Sequence, residues 1–170
     1  NLSFEVYVDG KREEGFEPKI KTFFERISPY SSFINNYKFR IDTSNSFPHS
    51  SGIASSASGL SALALCICSI EQNINSEFEG ELFLNKASFL ARLGSGSACR
   101  SLFPKMASWG KHSELKNSSD VIGSPYDDIH PVFATYQDTI LLVDKGQKQV
   151  SSTVGHGLMH KHPFAETRFK

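Results

Sequence analysis

Pro48-His49-Ser50-Ser51-Gly52-Ile53-Ala54-Ser55-Ser56-Ala57-Ser58-Gly59 joins a loop to a helix. Proline and glycine set the loop. The run that follows, Leu60 to Ile70, is apolar with almost no charge and reads as a buried helix. The serines therefore sit where a helix begins. There the first backbone N–H groups lack intrahelical partners, and the helix dipole is positive. Such an end binds phosphate readily. The same residues also suit an ordinary serine cap on a core helix.

A second stretch, Gly94-Ser95-Gly96-Ser97-Ala98-Cys99-Arg100-Ser101, has the same grammar. Two glycines free the backbone and hydroxyls flank them. If Ser97 opens a helix, Arg100 lies about one turn along on the same side. A guanidinium there can grip a carboxylate or phosphate with two parallel hydrogen bonds. Two such turns in one small chain point to a ligand with several negative groups, and they are expected to face one shared cleft, with Ser56 and Arg100 on a common cavity.

Outward from these turns, Phe4, Val6 and Val8 alternate with polar neighbours, as in a half-buried strand, and Asp9-Gly10 predicts a hairpin. Ile20, Phe23, Phe24 and Ile27 give Glu17 to Ile27 one apolar helical face. Phe39 and Ile41 alternate into a strand ending near Ser46. Glu71 to Gly80 is polar and reads as a connection, and Glu81 to Leu93 as a second helix. Pro104 ends or interrupts a helix beginning near Ser97. Ser108 to Asp120 reads as strand plus loop, and Pro125-Tyr126 and His130-Pro131 mark a linker. Thr139 to Lys145 is an apolar strand, and Val150 to Gly155 approaches another helix. The interleaving without a regular βαβ period is that of an α+β protein.

Apolar residues make up 39% of the 170, with 14 phenylalanines, enough for a packed core. Lys plus Arg equals Asp plus Glu at 18 each, so no net field attracts nucleic acid or an anionic membrane. By sequence, no apolar run reaches the roughly 18 residues of a membrane span. Three cysteines cannot all pair. Cys66, Cys68 and Cys99 are expected buried and reduced, which fits a cytoplasmic protein, although Cys99 could also be a reactive thiol at a helix start. His156 and His160 are four apart, but no carboxylate stands at metal-motif spacing, so no metal centre is expected. Asp120 is a candidate magnesium or positioning ligand and equally an ordinary turn aspartate. Asn1-Leu2-Ser3-Phe4-Glu5 has neither the charged nor the apolar region of a signal peptide and no methionine, and the chain is expected to be an internal piece of a longer protein.

Ser50 to Ala57 resembles the phosphate loop of the GHMP kinase superfamily. Ala91-Arg92-Leu93-Gly94-Ser95-Gly96-Ser97-Ala98-Cys99-Arg100-Ser101 is similar to the signature of its diphosphomevalonate decarboxylases. Val150-Ser151-Ser152-Thr153-Val154-Gly155 is a third match, in the family's order. Trp109-Gly110 and Ser118-Ser119-Asp120 fall where the family has related residues. The resemblance implies an N-terminal domain like the second domain of ribosomal protein S5 over residues 1–130. The start of a ferredoxin-like C-terminal domain would follow over 131–170. It implies ATP and Mg2+ as cofactors and mevalonate 5-diphosphate as substrate. That substrate would be decarboxylated to isopentenyl diphosphate after its 3-hydroxyl is phosphorylated. Gly52, Ala54, Ser55 and Ser56 would cradle the ATP phosphates, with Ser56 nearest the transferred group. Arg100 would bind the substrate carboxylate. Ser95, Gly96, Ser97 and Ser152 would contact the substrate's anionic groups.

Thr153 stands where some members of the family carry a basic residue, and the catalytic aspartate is expected downstream of this chain. A fragment of this extent is expected to be inactive alone. A decarboxylase of the monophosphate, a mevalonate 3-kinase and a non-catalytic phospho-ligand binder remain alternatives. A homodimer is left open; no nucleic acid or membrane partner is expected.

Overall fold

The structure, a computed structural model, describes residues 2–47, 53–141, 150 and 152–169. Strand β1 (Ser3–Val8) turns through Asp9 and Gly10, with φ of 50° and 78°. Two consecutive positive φ values match the right-handed twist of a hairpin, and Gly10 adopts its value without a side-chain penalty. Strand β2 (Lys11–Arg12) returns antiparallel, with Tyr7 opposite Arg12. Helix α1 (Glu17–Ile27) starts with Pro18, whose missing N–H costs nothing in a first turn. It leads to β3 (Lys38–Thr43), parallel to β1 from Ser3 beside Lys38 to Val8 beside Thr43. The sheet order is β2-β1-β3.

Alternation sorts the two faces of this sheet. Outward, Arg40 lies 4.2 Å from the Tyr7 ring centre and its Nε donates to Asp42 at 2.9 Å. Inward, Phe4 and Phe39 meet Phe24 of α1 at ring separations of 5.4 and 5.3 Å. Phe23, Phe24 and Ile27 are fully buried there.

Behind α1 lie α2 (Ser55–Ile74) and α3 (Gly80–Gly94). Leu60, Ala64, Ile67 and Cys68 of α2 and Ala87, Leu90 and Ala91 of α3 complete the core. At the far end of the pair Lys86 Nζ donates to Glu71 at 2.5 Å, and the buried Ser31 hydroxyl donates to the same carboxylate at 3.4 Å. Helix α2 therefore runs a turn past Glu71, and the expected connection shortens to 75–79. Polarity at Glu71 to Asn73 marks an ion pair and an exposed last turn, which sequence alone does not distinguish from a loop. At 20 residues α2 is also long and apolar enough by composition to cross a bilayer, contrary to the count from apolar runs. In this fold its apolar stripe packs on α1 and α3.

After α3, residues Gly96–Arg100 form one 3-10 turn instead of the expected helix. The two-residue strands β4 (Ala107–Ser108) and β5 (Ser124–Pro125) then pair antiparallel. The strand expected within Ser108 to Asp120 is reduced to its first residue. In the predicted strand Thr139 to Lys145, residues 139–141 are not in a strand and 142–149 lie outside the described residues. An extended segment becomes a strand only where a neighbour completes its hydrogen bonds. Helices α4 (Ser152–Met159) and α5 (Ala165–Phe169) close the described chain.

Cys68 and Cys99 are buried, but Cys66 is exposed, correcting the expectation for that thiol. Two positions apart on a helix, Cys66 and Cys68 point to different sides. Burial, with the Glu71 carboxylate adding to it, pushes the Cys68 thiol up to about 12. In the unfolded chain it ionises near 8.5. Below that value the stabilisation of the buried thiol is complete. As pH rises further, the unfolded state loses its proton first, so stability falls until about pH 12. Urea midpoints should therefore drop between about pH 8.5 and 11, and Cys68→Ala should make that fall shallower. An equal slope in the variant would remove Cys68 as the cause.

Candidate functional site

Helix α2 is entered through Ala54, at φ 55° and ψ 32°. This left-handed conformation costs a non-glycine residue about 1 kcal/mol. Ala54, at the cap position, has no side-chain group to cap the helix. The Ala54 carbonyl accepts from the N–H groups of Ala57 (2.9 Å) and Ser58 (3.3 Å). Ser55 and Ser56 occupy the first two helical positions. Lys19 Nζ, reaching over from α1, donates to Ser56 Oγ at 2.5 Å. Partial burial lowers the pKa of that ammonium.

Two clefts flank this helix start. The first holds about 160 Å³. Val8, Phe16, Ile20, Ile41 and Leu63 make it largely apolar, while Lys19, Asp42, Thr43, Asn45, Ser55 and Ser56 provide its polar groups. Cys66 also lines it. The second holds about 290 Å³ between Ala54 and Ala57 on one side and Ser97, Arg100, Ser101 and Lys105 on the other.

The structure thus brings Ser97 and Arg100 against the start of α2, but Ser55 and Ser56 face the other cleft. A single cleft shared by Ser56 and Arg100 is not what the described residues form; the first turn of α2 stands between two. Ala54 lines the second cleft, and Gly52 lies outside the described residues. Ser152 opens α4, and its side chain is likewise outside what the structure describes.

Ser95 and Gly96 line neither cleft. The Ser95 N–H donates to Ala91 O at the end of α3, and its carbonyl accepts from Ala98. A Cβ on Gly96 would lie 2.8 Å from Trp109 Cη2, and one on Gly94 2.8 Å from Phe23 Cδ2. Neither glycine has a positive φ. Side-chain clearance, not backbone freedom, is what these two positions require.

Arg100 is carried by an anchored turn. The buried Ser88 hydroxyl donates to Cys99 O at 2.9 Å and accepts from Gly123 N at 2.8 Å. Cys99 Sγ donates to Gly96 O at 3.1 Å, and burial raises the pKa of this thiol, against its reading as a reactive group. A Cβ on Gly123 would sit 2.5 Å from Cys99 O and 2.8 Å from its carbon, both backbone atoms that cannot rotate away. Gly123→Ala should therefore cost about 2–3 kcal/mol, measured by urea unfolding. A loss below about 0.5 kcal/mol would show that the turn yields.

Asp120 Oδ1 accepts from the Lys111 N–H at 2.8 Å, and its carbonyl accepts from Trp109 Nε1 at 3.1 Å. It holds a loop together, as turn aspartates do. Among the described residues, no group of three or more His, Cys, Asp or Glu gathers as metal ligands would. Lys19 and Lys105 were not legible from sequence. Neither belongs to a glycine-serine motif, and only the packing of α1 and the bend at Pro104 brings them to these clefts.

Residues 3–121 match the family model of the diphosphomevalonate decarboxylase-like N-terminal domain. The diphosphomevalonate decarboxylase of Ganoderma lucidum is 34% identical over 128 residues, covering 72% of this chain and 28% of that protein. That of Saccharomyces cerevisiae is 36% identical over 124 residues, again 72% and 28%. The crystal structure of a mevalonate diphosphate decarboxylase from Legionella pneumophila superimposes with a TM-score of 0.68 at 30% identity, over 98% of this chain and 49% of that one. The chain thus spans under a third of these curated relatives and about half of the solved structure. With a fold shared with the decarboxylases of the GHMP kinase superfamily and 119 consecutive residues matched, from 3 to 121, the chain belongs to the diphosphomevalonate decarboxylase-like family.

Proposed function

We propose that the protein containing this chain carries out the ATP-dependent decarboxylation of mevalonate 5-diphosphate to isopentenyl diphosphate. The observation that carries this reading is the placement of the α2 start between an apolar cleft with Lys19 and a basic one with Arg100. A nucleotide needs an apolar surface for its base beside groups that hold phosphate. The first cleft offers Val8, Ile20 and Leu63 beside Ser55, Ser56, Lys19 and the dipole of α2. An acidic substrate needs fixed positive charge, and Arg100 and Ser97 supply a fork of donors and a hydroxyl.

In this reading Ser56 orients the transferred phosphoryl group, with its hydroxyl held by Lys19. Arg100 grips the carboxylate, and Ser152 lies near the 5-diphosphate. Magnesium, when bound with ATP, would neutralise phosphate charge, and the Ser55 hydroxyl and the phosphate oxygens themselves would be the oxygens available to hold it. Phosphoryl transfer of this kind depends mainly on positioning and charge stabilisation. Residues 1–130 correspond to a domain like the second domain of ribosomal protein S5, and 131–170 open a ferredoxin-like domain. The enzyme works in the cytoplasm.

The test is a coupled assay on the full-length protein with ATP and, in turn, mevalonate, its 5-phosphate and its 5-diphosphate. Clear preference for the diphosphate is expected, with one ADP, one phosphate and one carbon dioxide per turnover. Preference for either other substrate overturns the assignment.

A further inference from the structure

One neighbouring unit grips the turn that carries Arg100 at both ends. Strands β4 and β5 pair with Ser108 opposite Ser124. Trp109 follows the first and Gly123 precedes the second, so both leave the ladder at the same end. Gly123 holds the end of the turn: its N–H is bonded to Ser88, and it lies against the Cys99 carbonyl. Trp109 holds the start. A Cβ on Gly96 would meet three successive atoms along the outer edge of the indole, Cζ2, Cη2 and Cζ3, at 3.6, 2.8 and 3.3 Å.

The other side of the indole is fixed as well. Its Nε1 donates to Asp120 O at 3.1 Å. Asp120 is itself held by the Lys111 N–H on its carboxylate, and Gly110 N donates to Ser119 O at 2.9 Å. Gly110 has a φ of 111°, which lets the chain bend directly after the tryptophan. The ring is therefore a strut, with its polar edge on the neck of the 109–123 loop and its apolar edge on the turn. At 41% exposure it is no core residue, and it lines neither cleft.

We infer that Trp109 is a positioning residue for the Arg100 cleft. Its ring fixes Gly96, and with it the Ser97 and Arg100 side chains that the rest of the turn presents to the cleft. Position 96 is glycine to admit that ring. Trp109 touches no ligand in this assignment; it acts through the main chain of the turn. The inference rests on the proposed function for the reaction it supports, and stands apart from it for the immobilisation of the turn.

Steady-state rates and hydrogen exchange of the full-length protein test it. Trp109→Ala should lower kcat for mevalonate 5-diphosphate about tenfold or more, because a misplacement of about 1 Å is enough for a loss of that order. KM for ATP should hold, since the ring lines neither cleft. The Ala98 and Ser101 amides, bonded within the turn to Ser95 O and Ala98 O, should exchange about tenfold faster. Amides of α1 and α2 should keep parental rates, which separates a loosened turn from a lost fold. Gly96→Ala should reproduce both effects, because its methyl displaces the ring. In the Trp109→Ala background the same methyl enters vacated space, so the double variant should be no slower than Trp109→Ala alone. Trp109→Phe keeps a flat apolar edge without the N–H and should recover part of the rate.

Parental kcat, or parental exchange of the turn, in Trp109→Ala overturns the inference, as do losses from the two substitutions that multiply. A parent that does not decarboxylate mevalonate 5-diphosphate refutes the functional reading instead, and the exchange rates of the variants then decide this one.

Discussion

Arg100→Ala in the full-length protein should lower the proposed decarboxylation of mevalonate 5-diphosphate at least about a hundredfold, the effect of removing one preorganised electrostatic contact from a reacting site. The side chain is exposed and forms no ion pair among the described residues, so the substitution leaves the core and the turn intact. The melting temperature should not move, which separates this outcome from unfolding. Arg100→Lys keeps the charge but loses the planar fork and should recover only part of the rate. If the carboxylate must be held while its electrons leave, the loss appears in kcat as well as in KM. A variant within a few-fold of the parent takes Arg100 out of the chemistry.

Phe24→Ala should destabilise the fold by about 4 kcal/mol, toward the upper part of the range for large-to-small core substitutions. Phe24 is fully buried, and its ring contacts both parallel strands through Phe4 and Phe39. Phe24 also packs on Phe23 at a ring separation of 6.0 Å, so removing the ring opens a cavity among several fully buried side chains. Phe24→Leu should cost less than half as much, because most of the volume is retained. Urea unfolding measures both. A Phe24→Ala loss under about 1.5 kcal/mol would mean that α1 settles onto the sheet. Of a domain's total stability of about 5–15 kcal/mol, the expected loss is a large share.

Elements governed by local pattern were legible in the sequence. Helix α1 has the predicted bounds, Glu17 to Ile27, because its apolar spacing and Pro18 both act within the helix itself. The Asp9-Gly10 hairpin follows from its turn residues. The parallel pairing of β1 with β3 was not legible, since partner and register depend on segments 35 residues apart. Nor was the 3-10 turn at Gly96–Arg100, which is shaped by Trp109, Ser88 and Gly123 from elsewhere in the chain. At the site, the serine pair and Arg100 were evident as motifs. That a helix turn separates them into two clefts, and that Lys19 and Lys105 complete those clefts, depends on tertiary packing.

The anchoring of the turn beneath Arg100 bears on how affinity is divided between enthalpy and entropy. Ser88 ties Cys99 to Gly123 with two buried hydrogen bonds, one accepted by Cys99 O and one donated by Gly123 N. An incoming anion therefore finds the main chain that carries the guanidinium already immobilised. The ordering was completed when the polypeptide folded, and only the outer torsions of one arginine are left to freeze on association.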